Sequence, residues 1–335
     1  MKIGFGQSLI GPLAATALAA LAVSLTTDRF IDPGNLKNLA LQVSIVALVG
    51  IGSTLVIFTG GIDLSPGSAI ALLTMVFAVL VKFAGLNIWV GLVATLMLGA
   101  LLGALNGVLT AYLRIPAFIA TLAALSAFRG VAFMFNNGSA VFDVSPLLEQ
   151  IFYGSVFGLP LPLLYVLVSF AIAYWLMRWT RLGRSIYAVG GNPRAAHLSG
   201  INVRRTQLLA FTLAGFMAAI GAILMAGRLN SGSPNYGTGL ELQAIAAAVI
   251  GGASLAGGRG NVLATLLGAL TITIVQNGLN LNSVPTSLQN VIIGLIILIA
   301  VGIDMWRGEI GRLLHRFAPS TGAETSKSPD ERTNR

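Results

Sequence analysis

Apolar windows of about twenty residues, each closed by Pro, Gly, Asn or a charge, recur along almost the whole chain, and each could cross a bilayer core of ~30 Å as a helix. The pattern predicts ten spans: Ser8–Thr26, Leu36–Phe58, Pro66–Phe83, Ile88–Leu113, Pro116–Phe135, Pro160–Trp179, Thr206–Ala226, Leu240–Ala256, Val262–Leu281 and Leu288–Ile303. The first is read as a retained span rather than a cleaved signal peptide, because its apolar run of about eighteen residues exceeds a typical h-region and a single lysine, Lys2, precedes it. Two interruptions stand out. TGGIDLSPGS breaks the chain between spans two and three, and RLGRSIYAVGGNPRAAHLSGINVRR, Arg181–Arg205, is long, polar and basic between spans six and seven.

Composition agrees with the pattern. With 56% hydrophobic and 9% charged residues and a mean hydropathy of +0.86, the chain leaves no soluble catalytic domain. Absence of cysteine excludes disulfides and thiolate metal sites, and His197 and His315 are too far apart to suggest a metal pair. The net charge of +9 sits beside the spans, where insertion bias explains it without a nucleic-acid partner. Placing the N-terminus in the cytoplasm puts Lys2, Arg114, Arg178, Arg181, Arg184, Arg194, Arg204, Arg205, Arg259, Arg307, Arg312 and Arg316 inside, against Arg29, Lys37, Lys82 and Arg228 outside. An even number of spans returns the C-terminus to the cytoplasm, where WRGEIGRLLHRF can lie on anionic headgroups and TGAETSKSPDERTNR reads as disordered. The expected fold is an all-α integral membrane protein with both termini cytoplasmic.

A faint internal echo pairs VATLMLGALLGALNGVL from Val93 with VLATLLGALTITIVQNGL from Val262, and GGIDLSPG from Gly60 with GGASLAGG from Gly251. The two echoes are spaced differently by about one span, which would put the later Asn-Gly on the opposite membrane side. Two related, inverted halves would produce this, and so would chance in a sequence rich in Leu, Ala and Gly.

Within the long basic loop, Asn192 suits an N-cap, Pro193 the first helical position and Gly200 a left-handed C-terminal cap, which predicts a helix of about two turns. So short a helix needs something larger to pack on. Ala195, Ala196 and Leu198 offer a smooth face for a partner's groove; a basic loop with no partner is the plainer alternative.

The run TRLGRSIYAVGGNPRAAHLSGINV resembles the coupling loop of permease subunits of ABC sugar importers of the ribose type. LVIFTGGIDLSPGSAIAL, GALLGALNGVL, LRIPAFIATLAALSAFRG and ELQAIAAAVIGGASLAGGRGNVLATLLGAL extend the likeness over most of the chain. The resemblance implies a ten-helix permease domain over residues 1–305, followed by a basic cytoplasmic tail over 306–335. It implies a homodimer or heterodimer of permeases, a cytoplasmic ABC ATPase and a substrate-binding protein outside the membrane, with a monosaccharide as cargo. Gly190, Gly191, Asn192, Ala195, Ala196, Ser199, Gly200 and Ile201 match the coupling motif, Pro193 lies within it, and bulky replacements of Gly191 and Gly200 are expected to abolish uptake. None of the four lysines follows a glycine, so no Walker A loop is present; ATP and Mg belong to another chain, and this chain is expected to bind no cofactor. Branched-chain amino acids or nucleosides are the alternative cargoes. An autonomous secondary transporter is a further alternative, for which the sequence offers few central carboxylates.

In the break, Gly60 and Gly61 relax the backbone, Ser65 reads as the N-cap before Pro66, and Asp63 lies near the membrane edge. A gate, a contact to the ATPase side and a plain helix-start cap all fit. Arg129 falls inside span five and must face protein or water, as a hydroxyl-binding donor or bonded to backbone carbonyls. Gln276 and Asn277 are candidate pathway amides or interhelical glue, Asn106 reads as glue, and Glu241 as a helix-start carboxylate. Gly99, Gly103 and Gly107 share one helix face and predict close packing.

Overall fold

The computed structural model describes the backbone of residues 7–156 and 159–317. Lys2, the tail TGAETSKSPDERTNR and the basic side chains of WRGEIGRLLHRF lie outside the described residues. The helices are α1 (Gln7–Thr26), α2 (Pro33–Phe58), α3 (Pro66–Ala78, continued by a π turn to Phe83), α4 (Ile88–Ala111), α5 (Ala117–Met134), α6 (Leu147–Tyr153) and α7 (Leu161–Trp179). They continue with α8 (Arg181–Gly191), α9 (Pro193–Leu198), α10 (Val203–Leu229), α11 (Leu240–Ile250), α12 (Val262–Leu281) and α13 (Thr286–Phe317). Asparagines start several of them: Asn87, Asn192, Asn202 and Asn261 each accept a backbone N–H of the first turn, so orphan donors at these helix starts are satisfied.

Among the described residues, nine helices are long and apolar enough to cross a membrane. The expected eighth span, Leu240–Ala256, is the exception. Its helix stops at Ile250, because Gly252, Gly257, Gly258 and Gly260 adopt positive φ and turn the chain out of the helix. Eleven residues rise roughly 16 Å, about half a bilayer core, so the non-helical run Ser231–Gly239 must supply the rest of that passage.

Helix α2 is apolar all round and buried along most of its length, as a helix at the centre of a membrane bundle should be. It runs antiparallel to α10: Gly52 lies against the Ala214 backbone, and Gly221 against Val49 and Ile45. Small residues permit this approach, since without a hydrophobic drive in lipid, close packing must hold the helices together. Gly99, Gly103 and Gly107 of α4 do the same against Phe211, Gly215, Ala219 and Leu208 of α10, which makes that stripe intrachain packing.

The order long helix, break, shorter helix, long helix occurs twice, as α2–α3–α4 and α10–α11–α12, with α3 and its π turn, 18 residues together, the longer of the two middle helices. Because α2 and α10 are antiparallel, the two halves are inverted, with α4 packed on α10 and α12 on α2. Asn106–Gly107 and Asn277–Gly278 consequently sit toward opposite ends of the bundle, the former against Leu208 near the start of α10 and the latter beside Asn35 at the start of α2. The glycine echo is different in kind: GGIDLSPG precedes α3, whereas GGASLAGG follows α11, so these segments are not equivalents under the repeat.

Candidate functional site

The basic loop is built of two helices rather than one. Thr180 caps α8 by accepting from the Gly183 N–H at 3.2 Å; Gly183, Ile186 and Val189 face the bundle while Arg181 and Arg184 face outward. Asn192 then ends α8 and starts α9, its Oδ1 accepting from the Ala195 N–H at 3.0 Å. At the far end Gly200, at φ +80°, lets its own N–H reach the His197 carbonyl and that of Ile201 reach the Ala196 carbonyl, both at 3.0 Å. This paired closure and the cap on each side lock six residues that would not be helical alone. Of α9 only Ala196 is buried; Leu198 is 87% exposed. Leu198 thus presents an apolar side chain to the outside on a doubly capped two-turn knob.

The knob meets the bundle at a junction of glycine backbones. A Cβ on Gly190 would fall on the Phe58 carbonyl and the Gly258 N–H, while one on Gly257 would strike Gly190 and Gly60. Gly258 donates to the Phe58 carbonyl at 3.0 Å, which ties the end of α2 to the loop after α11. Tyr187 closes the junction from α8, donating to the Gly260 carbonyl at 3.1 Å with its ring tilted against Phe58 at 5.0 Å. Burial pushes its hydroxyl up to about 12, so it stays protonated and keeps donating throughout the neutral range. Thus Gly60 and Gly190, read from the sequence as parts of separate features, meet. Under α9 the contact gives way to a cavity of about 880 Å³ between His197, Gly200 and Arg204 on one side and Thr59, Arg114 and Ala117 on the other. The knob is therefore held at its α8 end and free beneath.

The break between α2 and α3 continues from the junction. Asp63 Oδ1 accepts from both the N–H and the hydroxyl of Ser65, at 2.9 and 2.7 Å, and Asn106 donates to the Ser65 hydroxyl at 2.8 Å. Ser65 does precede Pro66 and helix α3, but its side chain makes no cap bond; it turns back to Asp63 instead. Asp63 is thereby a turn former locked to α4 through Ser65 and Asn106. Asn106 is glue, as its position in α4 suggested.

Arg129 carries its charge to the second break. Its guanidinium donates to the Pro234 and Tyr236 carbonyls at 2.6 and 2.8 Å, pinning the non-helical stretch before α11 to α5. Of the two amides considered for a path, Asn277 is bound in a reciprocal pair with Asn35, at 2.8 and 3.0 Å, which joins α12 to α2 and commits its carbonyl and one of its N–H donors to packing. Gln276 beside it is half-buried and is not drawn into that pair.

Residues 35–301 match the family described as branched-chain amino acid transport system / permease component. The chain belongs to this permease family. It is 42% identical to the ribose import permease protein RbsC of Escherichia coli (strain K12), over 89% of this chain and 92% of that protein. It is 35% identical to the xylose transport system permease protein XylH of Haemophilus influenzae (87% and 94% covered) and to the D-allose transport system permease protein AlsC of E. coli (86% and 88%). No solved structure matches the chain. The permease is a multi-pass inner-membrane transport component rather than an enzyme.

Sequence reasoning missed three parts of the permease's site. The apolar positions Leu182, Ile186 and Val189 at helical spacing could have revealed α8. Gly257 and Gly258 lay in the motif GGASLAGG, just past the expected span Leu240–Ala256, and were read only as part of an echo. Pro234 and Tyr236 act through their carbonyls, so no side-chain signal marks them as the partners of Arg129.

Proposed function

We propose that the chain is the membrane-spanning subunit of an ATP-driven, binding-protein-dependent importer of a monosaccharide. The observation that carries this is α9: a doubly capped knob, exposed except for Ala196, joined through Gly190 to the backbones that end α2 and follow α11. A separate ABC ATPase docks on α9 from the cytoplasm, and its nucleotide cycle moves α8 and α9 against the bundle. The orientation rests on charge. Arg114, Arg178, Arg181, Arg184, Arg194, Arg204, Arg205 and Arg259 gather on the α9 side, with Arg29, Lys37, Lys82 and Arg228 at the other end, as the positive-inside rule requires of a cytoplasmic α9. Two permease chains, alike or unlike, flank the path, and a substrate-binding protein delivers cargo at the outer face.

The matched family's description raises a branched-chain amino acid as cargo, and the ribose, xylose and allose permeases at 35–42% identity favour a sugar. The test is uptake by the complex reconstituted with its ATPase and binding protein. ATP hydrolysis and uptake are expected to rise with pentose- or hexose-loaded binding protein and not with leucine. Stimulation by leucine alone would favour the other cargo, and uptake without ATP would overturn the reading.

A further inference from the structure

The stretch Asn235–Gly239 presents non-helical backbone inside the membrane. Its depth follows from contact: Gly237 lies backbone to backbone against Gly67, the second residue of α3, and that helix with its π turn runs on to Phe83, roughly 25 Å further toward the end opposite α9. At this depth Asn235 and Thr238 are exposed, and Leu242 at the start of α11 with them. Turned and extended backbone cannot face lipid, because its N–H and C=O groups would go unsatisfied; within the hydrocarbon region it occurs only against protein or lining a water-filled cavity. The neighbouring groups are polar as well. Arg129 holds the Pro234 and Tyr236 carbonyls, Ser126 and Phe133 one turn to either side of it are exposed, and Glu241 keeps a buried carboxylate oxygen, Oε2, without a hydrogen-bond partner.

We propose that Asn235 and Thr238 form the cargo-binding wall of the translocation path, with Glu241 packed behind them against Gly67. The ligand class is a neutral polyhydroxylated solute. The exposed Asn235 amide can donate to and accept from sugar hydroxyls, and the Thr238 hydroxyl, which gives its proton to the Asn235 backbone carbonyl at 2.9 Å, is left to accept. The ring of Phe133 supplies an apolar face for the C–H side of a sugar. Arg129 is the positioning residue: with its guanidinium committed to two carbonyls, it holds the wall at a fixed distance from α5. This inference rests on the reading that two permease chains flank a sugar path, with the second chain closing the side that this wall leaves open.

The chain contains no cysteine, so single cysteines can be introduced without background. In the full complex, Asn235→Cys and Thr238→Cys are each to be labelled with a membrane-impermeant thiol reagent, with Leu101→Cys on the exposed face of α4 as the lipid-facing control. Labelling is scored on every variant whose complex still purifies with its ATPase, whatever its uptake, which separates this test from that of the import function itself. The expected result is labelling at 235 and 238, none at 101, and at least threefold slower labelling when sugar-loaded binding protein and ATP are present. An intact complex with both positions unlabelled would overturn the path assignment. Labelling at both positions that sugar-loaded binding protein leaves unchanged would overturn the cargo-binding role.

Discussion

Gly190→Val is expected to uncouple ATP hydrolysis from uptake while the spans remain inserted. The valine Cβ has no place to go, since the Phe58 carbonyl and the Gly258 N–H already occupy its position. Backbone must move, and overpacking of this kind costs about 1–3 kcal/mol. If that cost falls unequally on the two access states, the upper part of the range shifts their balance by roughly 100-fold. The measurement is ATP-dependent sugar uptake beside ATPase activity in the same vesicles: uptake should fall by about that factor while hydrolysis persists. The control lies next door. Gly191 has open space where its Cβ would be and no positive φ, so Gly191→Val should change uptake by no more than about twofold, as surface substitutions do. Gly200 also faces open space but at φ +80°, so Gly200→Ala should loosen α9 by on the order of 1 kcal/mol without a clash. The structure thus moves the sensitive position from Gly191 to Gly190.

Arg129→Gln is the second large effect expected. Each charge-assisted hydrogen bond from the guanidinium contributes about 1.5–3 kcal/mol, and here two carbonyls lose their donor at once. Left unpaired inside the membrane, the Pro234 and Tyr236 carbonyls favour any arrangement that reaches water, so the wall before α11 should detach from α5. Thermal unfolding of the purified complex should move to lower temperature, and uptake should fall more than tenfold. Arg129→Lys keeps the charge, and because both bonds come from one guanidinium nitrogen, an ammonium can replace part of them. Equal loss in the Lys and Gln variants would show that the charge does not hold this segment.

Helix positions and caps were legible because they depend on local sequence. Asn192, Pro193 and Gly200 mark the ends of α9 by side-chain chemistry and backbone freedom alone. Length was misread once, at Leu240–Ala256, where an apolar run looked like a full span although its glycines end the helix after Ile250. Hydropathy windows average over glycine, and glycine geometry decides. The inverted repeat was half visible: α4 and α12 keep a common composition because both pack tightly on a central helix, while the second echo joined segments with different places in the fold. The junction was invisible for a physical reason. Gly60, Gly190, Gly257 and Gly258 are far apart in sequence and meet through backbone atoms, so no pairing of side-chain types announces them. Asn277 shows the converse, since its amide chemistry suited a path and its neighbour Asn35 turned it into glue.

The central claim is that α9 delivers the work of a separate ATPase into this bundle, and Leu198 tests it most directly. Because Leu198 is 87% exposed, Leu198→Glu should leave the permease's own packing undisturbed. Uphill accumulation of sugar should be measured in vesicles containing the variant, the ATPase and the loaded binding protein, after quantifying how much ATPase co-purifies. Loss of co-purifying ATPase together with loss of accumulation is the expected result. Accumulation against a gradient at the parent level, with the ATPase still bound, would contradict the account.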